Sequence, residues 1–240
     1  MTISKDQELP WFRGGPLLEV SFLKDLRISR QDFIEQIFTG LKNLFLTVEM
    51  ARTDIELAEV KEEFVRGYPR DEQDTLSIAV HSISIPAYVH FIEQKRKAYI
   101  RIQQISENLT NITFDFFGSV HDAPEWGQRG IRETDLPTFV ELLKNLFDAF
   151  EFAVGTIGFE FDSKDLFLSD ECWPSRDYDL SNLNKTLVET SDVTRFIYIL
   201  VNKTYMQLTS LDPLPEFRKV EDNQKYLLFE WKGTLEVFLQ

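Results

Sequence analysis

The chain has one cysteine, three methionines and three histidines in 240 residues. With Cys172 alone, neither an internal disulfide nor a cysteine-built zinc site can form. His81, His90 and His121 show neither H-x-x-x-H nor H-E-x-x-H spacing, so no histidine metal centre is expected. The acid-rich stretches lack the D-x-D-x-D-G order of a calcium loop. No G-x-S-x-G, Walker A or G-x-G-x-x-G pattern occurs, which removes the usual fingerprints of serine hydrolases and nucleotide binders. The expectation is no metal and no cofactor.

Bases are scarce. Lys and Arg number 26 against 40 Asp and Glu, a formal charge of −14. A nucleic-acid binder needs a basic face for phosphates, so that class is disfavoured. An anionic membrane surface is disfavoured on the same ground. The longest aliphatic-aromatic run, Phe196 to Val201, is far too short to span a bilayer. The opening "MTISKDQELPWFRGGP" has no basic-then-apolar leader pattern, and the reading places the chain in the cytoplasm. Asn108, Asn111, Asn184 and Asn202 each start an N-x-Thr triplet, read here as accidents of strand and turn composition.

Phenylalanine is what the chain has in quantity, 21 residues, within a hydrophobic share of 43%. That composition folds rather than stays extended. Phe33, Ile34, Ile37, Phe38 and Leu41 recur at helical spacing behind Ser29 and Asp32, predicting a capped helix over about 30–43. Phe139, Val140, Leu143, Leu146, Phe147 and Phe150 predict a second over about 135–149. Thr134 or Asp135 can cap it, and Pro137 falls in its first turn. Strand-like "LFLTVEM" follows the first helix and "FEFAVGTIGFEF" the second.

The halves align at a near-constant offset. Phe33, Ile34 and Glu35 match Phe139, Val140 and Glu141, Val48 matches Val154, and Tyr99 matches Tyr205. Tyr68-Pro69-Arg70-Asp71 is echoed by Trp173-Pro174-Ser175-Arg176-Asp177. Hairpin-like "YVHFIEQKRKAYIRIQ" has its counterpart in "FIYILVNKTYMQLTS", and "FDFFGSV" in "FEWKGTL" after the connection "LDPLPEFRKVEDNQ". The fold expected is α+β: two tandem similar units, each one amphipathic helix on a mainly antiparallel sheet. The first unit would span 1–122 and the second 123–240, with the seam in "VHDAPEWGQRG".

Residues 54–74 hold eight acids and three bases; residues 160–179 hold seven acids and two bases. Both read as acidic connections, solvated and able to attract a cationic protein. Aromatic anchors ringed by acids suit a binding surface. The candidate binding residues are Glu62, Glu63, Tyr68, Arg70, Asp71, Asp170, Glu171, Trp173, Arg176 and Asp177, with Trp126 in the seam. Catalysis has little support. Cys172 with His121 and Asp122 or Glu125 is the best nucleophilic set, but Cys172 sits beside Glu171 in an acidic stretch that opposes a thiolate. The expected function is a non-catalytic acidic binding module, an inhibitor or immunity-type protein for a basic partner. The alternatives are a hydrolase with paired carboxylates at the junction of the units and a small-ligand domain with a groove there.

Overall fold

The computed structural model describes residues 17–44, 47–69, 79–91, 95–116, 130–167, 178–181, 183, 196–205 and 216–233. Strand β1, Leu18–Asp25, leads into helix α1, Arg30–Asn43. Ser29 caps α1 by accepting from the Asp32 amide at 3.1 Å, and the Asp32 carboxylate complements the helix dipole. The Phe33, Ile34, Ile37, Phe38 and Leu41 stripe is buried as the spacing predicts.

Strand β2, Val48–Met50, is followed by a second helix where the sequence reads as a connection. This helix, α2, spans Asp54–Arg66. Its signals are local. Thr53 accepts from the Glu56 amide at 3.3 Å, and the Glu56 carboxylate accepts from the Thr53 amide at 2.6 Å, a reciprocal capping box. Leu57, Val60 and Phe64 form the buried stripe. Gly67 ends the helix at φ +69°, where a Cβ would lie 2.8 Å from the His81 ring.

The short ribbon β3 (Tyr68–Pro69) and β4 (Ala79–Val80) precedes three long antiparallel strands. These are β5, Ser82–His90; β6, Lys95–Ser106; and β7, Leu109–Phe116. Helix α3, Leu136–Phe150, then buries Phe139, Leu142, Leu143, Leu146 and Phe147. Asp135 stands at its N-cap position, yet its carboxylate accepts from the Arg132 amide at 2.8 Å rather than from the helix. The remaining strands are β8, Val154–Phe159; β9, Phe196–Asn202; β10, Phe217–Asp222; and β11, Tyr226–Trp231. No helix among the described residues is long and apolar enough to cross a membrane.

Nine strands form one open antiparallel sheet in the order β10-β11-β9-β8-β1-β7-β6-β5-β2. The α+β class and the antiparallel sheet are as expected; the duplication is not supported. After α1 the strands lie in chain order, β2-β5-β6-β7, whereas after α3 they lie β8-β9-β11-β10. β9 is flanked by β8 and β11, and the second arm of the hairpin expected here lies, from 206 on, outside the described residues. The hairpin described in this half is β10 with β11, and β10 is drawn from the presumed connection. The central strand β1 has no counterpart in the second half of this sheet. Pairing partners far apart in the chain, not local spacing, set this order.

Strand alternation separates two faces. Leu18, Val20 and Phe22 join Ile112, Phe114 and Phe116 of β7 and the stripes of all three helices in one core. Phe22 stacks on Phe152 at 4.3 Å and meets Phe114 edge-on at 6.3 Å. Burying each such ring contributes about 1.5–3 kcal/mol relative to exposure. Gly155 lets α3 approach closely, since a Cβ there would lie 2.9 Å from Leu143. On the opposite face, β8, β9, β10 and β11 carry a second core of Val154, Ile199, Val201 and Phe229, covered by Leu166, Phe167, Tyr178 and Leu183. The same face of β6, β7 and β1 adds Ile105, Leu109 and Leu23 to that core at one end and carries Arg101, Asp115, Glu19 and Ser21 along the rest.

Candidate functional site

Two places gather charge. The first is the outward face of α2, where Ile55, Glu59, Glu62, Glu63 and Arg66 share one side of the helix, opposite Leu57, Val60 and Phe64. Lys42 pairs with Asp54 at 2.6 Å and Lys61 with Glu35 at 2.7 Å. Glu59, Glu62 and Glu63 are exposed, with no described cation against them. Ile55 is 75% exposed, and Tyr68, just past the helix end, 51%. Of the residues singled out in the sequence, Glu62, Glu63 and Tyr68 are therefore on one exposed region. Arg70, Asp71, Trp126, Asp170, Glu171, Trp173, Arg176 and Asp177 lie outside the described residues. So do Cys172, His121, Asp122 and Glu125.

The second place was not singled out in the sequence. On the non-helical face, Glu19 of β1 stands opposite Asp115 of β7, and Arg101 of β6 reaches both. One guanidinium nitrogen, Nη2, lies 3.4 Å from Asp115, 3.6 Å from Glu19 and 3.3 Å from Asp162 in the turn after β8. All three carboxylates are buried, so three acids share one arginine. Burial, then the neighbouring Asp115 and Asp162, raises the Glu19 carboxyl to about 8, against the pull of Arg101. Burial raises Asp115 to about 6 although Arg101 opposes it. Asp162 is also raised, by burial first and Asp165 second.

Beside the carboxylates, three fully buried hydroxyls form a triangle. Ser21 lies 2.7 Å from Thr156 and 2.9 Å from Ser163, and Thr156 lies 3.1 Å from Ser163. The Ser163 amide donates to the Ser21 hydroxyl at 2.7 Å. Asp162 accepts from the Lys164 amide at 2.8 Å and from Arg101. These bonds seat a one-turn 3₁₀ helix, Ser163–Phe167, on the sheet. The sequence signals were single charges inside strands: Glu19 in "LEVSF", Asp115 in "FDFF" and Arg101 in "YIRIQ". Carboxylates are depleted in strands, so their presence amid buried neighbours was informative. Asp162 lay within a segment read as solvated; its burial corrects that reading at this position.

Neither described histidine is available as a ligand pair. His81 is buried, its Nδ1 2.8 Å from the Phe64 carbonyl oxygen. Burial lowers its pKa, partly offset by that carbonyl. His90 bonds Glu49 at 2.9 Å. No group of three or more His, Cys, Asp or Glu among the described residues is arranged to hold a metal ion; Glu19, Asp115 and Asp162 converge on a guanidinium instead. A polar groove of about 520 Å³ opens at one end of the sheet, between Asp25, Arg27, Asn108, Tyr178 and Tyr205. Against known proteins, the chain matches no family model, no curated protein and no solved structure.

Proposed function

We propose that the protein is a non-catalytic acidic binding module, of the inhibitor or immunity type, whose partner is a basic protein. One observation carries this reading: the outward face of α2 presents Glu59, Glu62 and Glu63, three acids against the single base Arg66, along the same side as the exposed Ile55. Exposed carboxylates around an apolar side chain suit a cationic surface, since charge speeds encounter and the apolar contact slows release. Tyr68, just past the end of the helix, adds an exposed aromatic ring.

The test is calorimetric titration with a panel of basic proteins, including any encoded beside this chain's gene, at low and high salt. Association that weakens steeply with salt, and is abolished by reversing Glu59, Glu62 and Glu63 to Lys, supports the reading. Unchanged binding by the folded triple variant removes α2 from the interface. No binding by the wild type removes the reading.

A second reading, carboxylate hydrolysis at the junction of the halves, draws on Glu19 and Asp115. A carboxyl held neutral beside one that ionises near pH 6 is the kind of pair that acid–base chemistry uses. Its test is turnover of glycoside, phosphoester and peptide substrates. Activity lost in both Glu19→Gln and Asp115→Asn would favour it over the binding module.

A further inference from the structure

Among the described residues, charge does not balance where the turn after β8 meets the sheet. Glu19 comes from β1, Asp115 from β7, and Asp162 and Asp165 from the turn; facing them are Arg101 from β6 and Lys164 from the turn. Fully ionised, four carboxylates would confront two cations. The Glu19 Oε2 is buried and accepts no hydrogen bond, although its side chain is only 8% exposed. An ionised oxygen so placed forfeits its hydration without full compensation.

The turn passes over the sheet beside this residue. Gly158 is the register partner of Glu19. The Phe161 carbonyl oxygen lies 2.9 Å from where a Gly158 Cβ would be, so the chain crosses directly over that row. Glu160 takes a positive φ of 56° to make the crossing, a conformation a non-glycine residue adopts at a cost. The turn is then held by the hydroxyl triangle, by the Asp162 contacts, and by Leu166 and Phe167 in the second core.

We infer that residues 160–167 form a proton-linked latch, seated on the sheet while the buried carboxylates share protons and released as the pH rises past neutrality. Lifting the turn returns Glu19 and Asp162 to water, where both ionise readily; the seated state binds more protons than the open one. The sign follows from linkage. A group whose pKa is raised in the seated state favours that state fully below its ordinary value and loses its contribution as pH climbs to the raised value. For Glu19 the window runs from 4.5 to about 8, and for Asp115 from 3.8 to about 6. Asp162 acts in the same direction.

Native-state hydrogen exchange reads the latch directly. Protection factors of the 163–167 amides, corrected for intrinsic exchange, are measured from about pH 6 to about pH 8 alongside those of β7. The expected result is a fall on the order of tenfold per pH unit at 163–167, with β7 staying protected. Glu19→Gln, which keeps the shape and cannot ionise, flattens that slope. Asp162→Asn flattens it too, and serves if the first variant does not fold. Flat protection at 163–167 in the wild type overturns the latch. A parallel loss in β7 shows global unfolding instead and overturns it as well. A folded Glu19→Gln protein that keeps the full slope does the same.

Discussion

Residues 54–74 and 160–179 look interchangeable in composition, both acid-rich with a few interspersed aromatics. Their described parts behave in opposite ways. The first begins as α2, which turns Glu59, Glu62 and Glu63 to water. The second drives Asp162 into the sheet at 4% exposure and pins Ser163 beneath it at 0%. Composition set neither outcome. In α2 a capping box and a stripe at helical spacing put Leu57, Val60 and Phe64 on the buried side, so Glu59, Glu62 and Glu63 fell on the other. After β8 a tight turn and an arginine on β6 gave one aspartate a partner inside. An acidic segment is therefore a solubility device or a structural pin depending on whether the sheet offers it a cation.

Removing that cation should break the contrast most severely. Arg101→Leu takes the guanidinium from buried Asp115 and Asp162, beside a Glu19 already largely protonated, and should cost about 3–5 kcal/mol near neutral pH, read from urea unfolding. The penalty should shrink in mild acid, where Asp115 is protonated as well. An equal loss at both pH values would show that packing, not charge, was removed. Ser163→Ala strips one vertex from the hydroxyl triangle and leaves Ser21 and Thr156 short of a partner, at about 1–3 kcal/mol. On the other side, Thr53→Ala opens the capping box of α2 and should cost about 1 kcal/mol, with helical circular dichroism reduced slightly. Smallest of all, Glu62→Gln and Glu63→Gln should each shift stability by no more than about 0.5 kcal/mol. A larger loss from either would mean that the α2 acids are structural after all.

The elements that were legible in advance carry their own signals. α1 fell on its expected bounds because Ser29, Asp32 and five apolar residues in register all specify it locally. The β5–β6 hairpin was legible through alternation on both arms. α2 carried equally local signals, Thr53, Glu56, Leu57, Val60 and Phe64, but its acid content masked them. β10 resisted for a physical reason: as an edge strand it has one partner, and Arg218, Lys219 and Val220 are exposed, so the alternation that marks a strand is missing. The carboxylate cluster draws its members from four elements, and no spacing along the chain predicts which of them meet. What could be read was the anomaly of each charge among buried neighbours.

The position of β1 bears on how the chain acquires its structure. This strand leaves the ribosome before both of its neighbours, β7 and β8. Leu18 must wait for Phe116 on one side and Phe159 on the other, and Ser21 meets Thr156 across 135 positions. Contacts so distant along the chain make for slow folding, and a half-synthesised molecule carries β1 with an open edge until each neighbour arrives. The middle of the finished sheet is thus the part of the nascent chain most exposed to mispairing, and most in need of protection until β8 emerges.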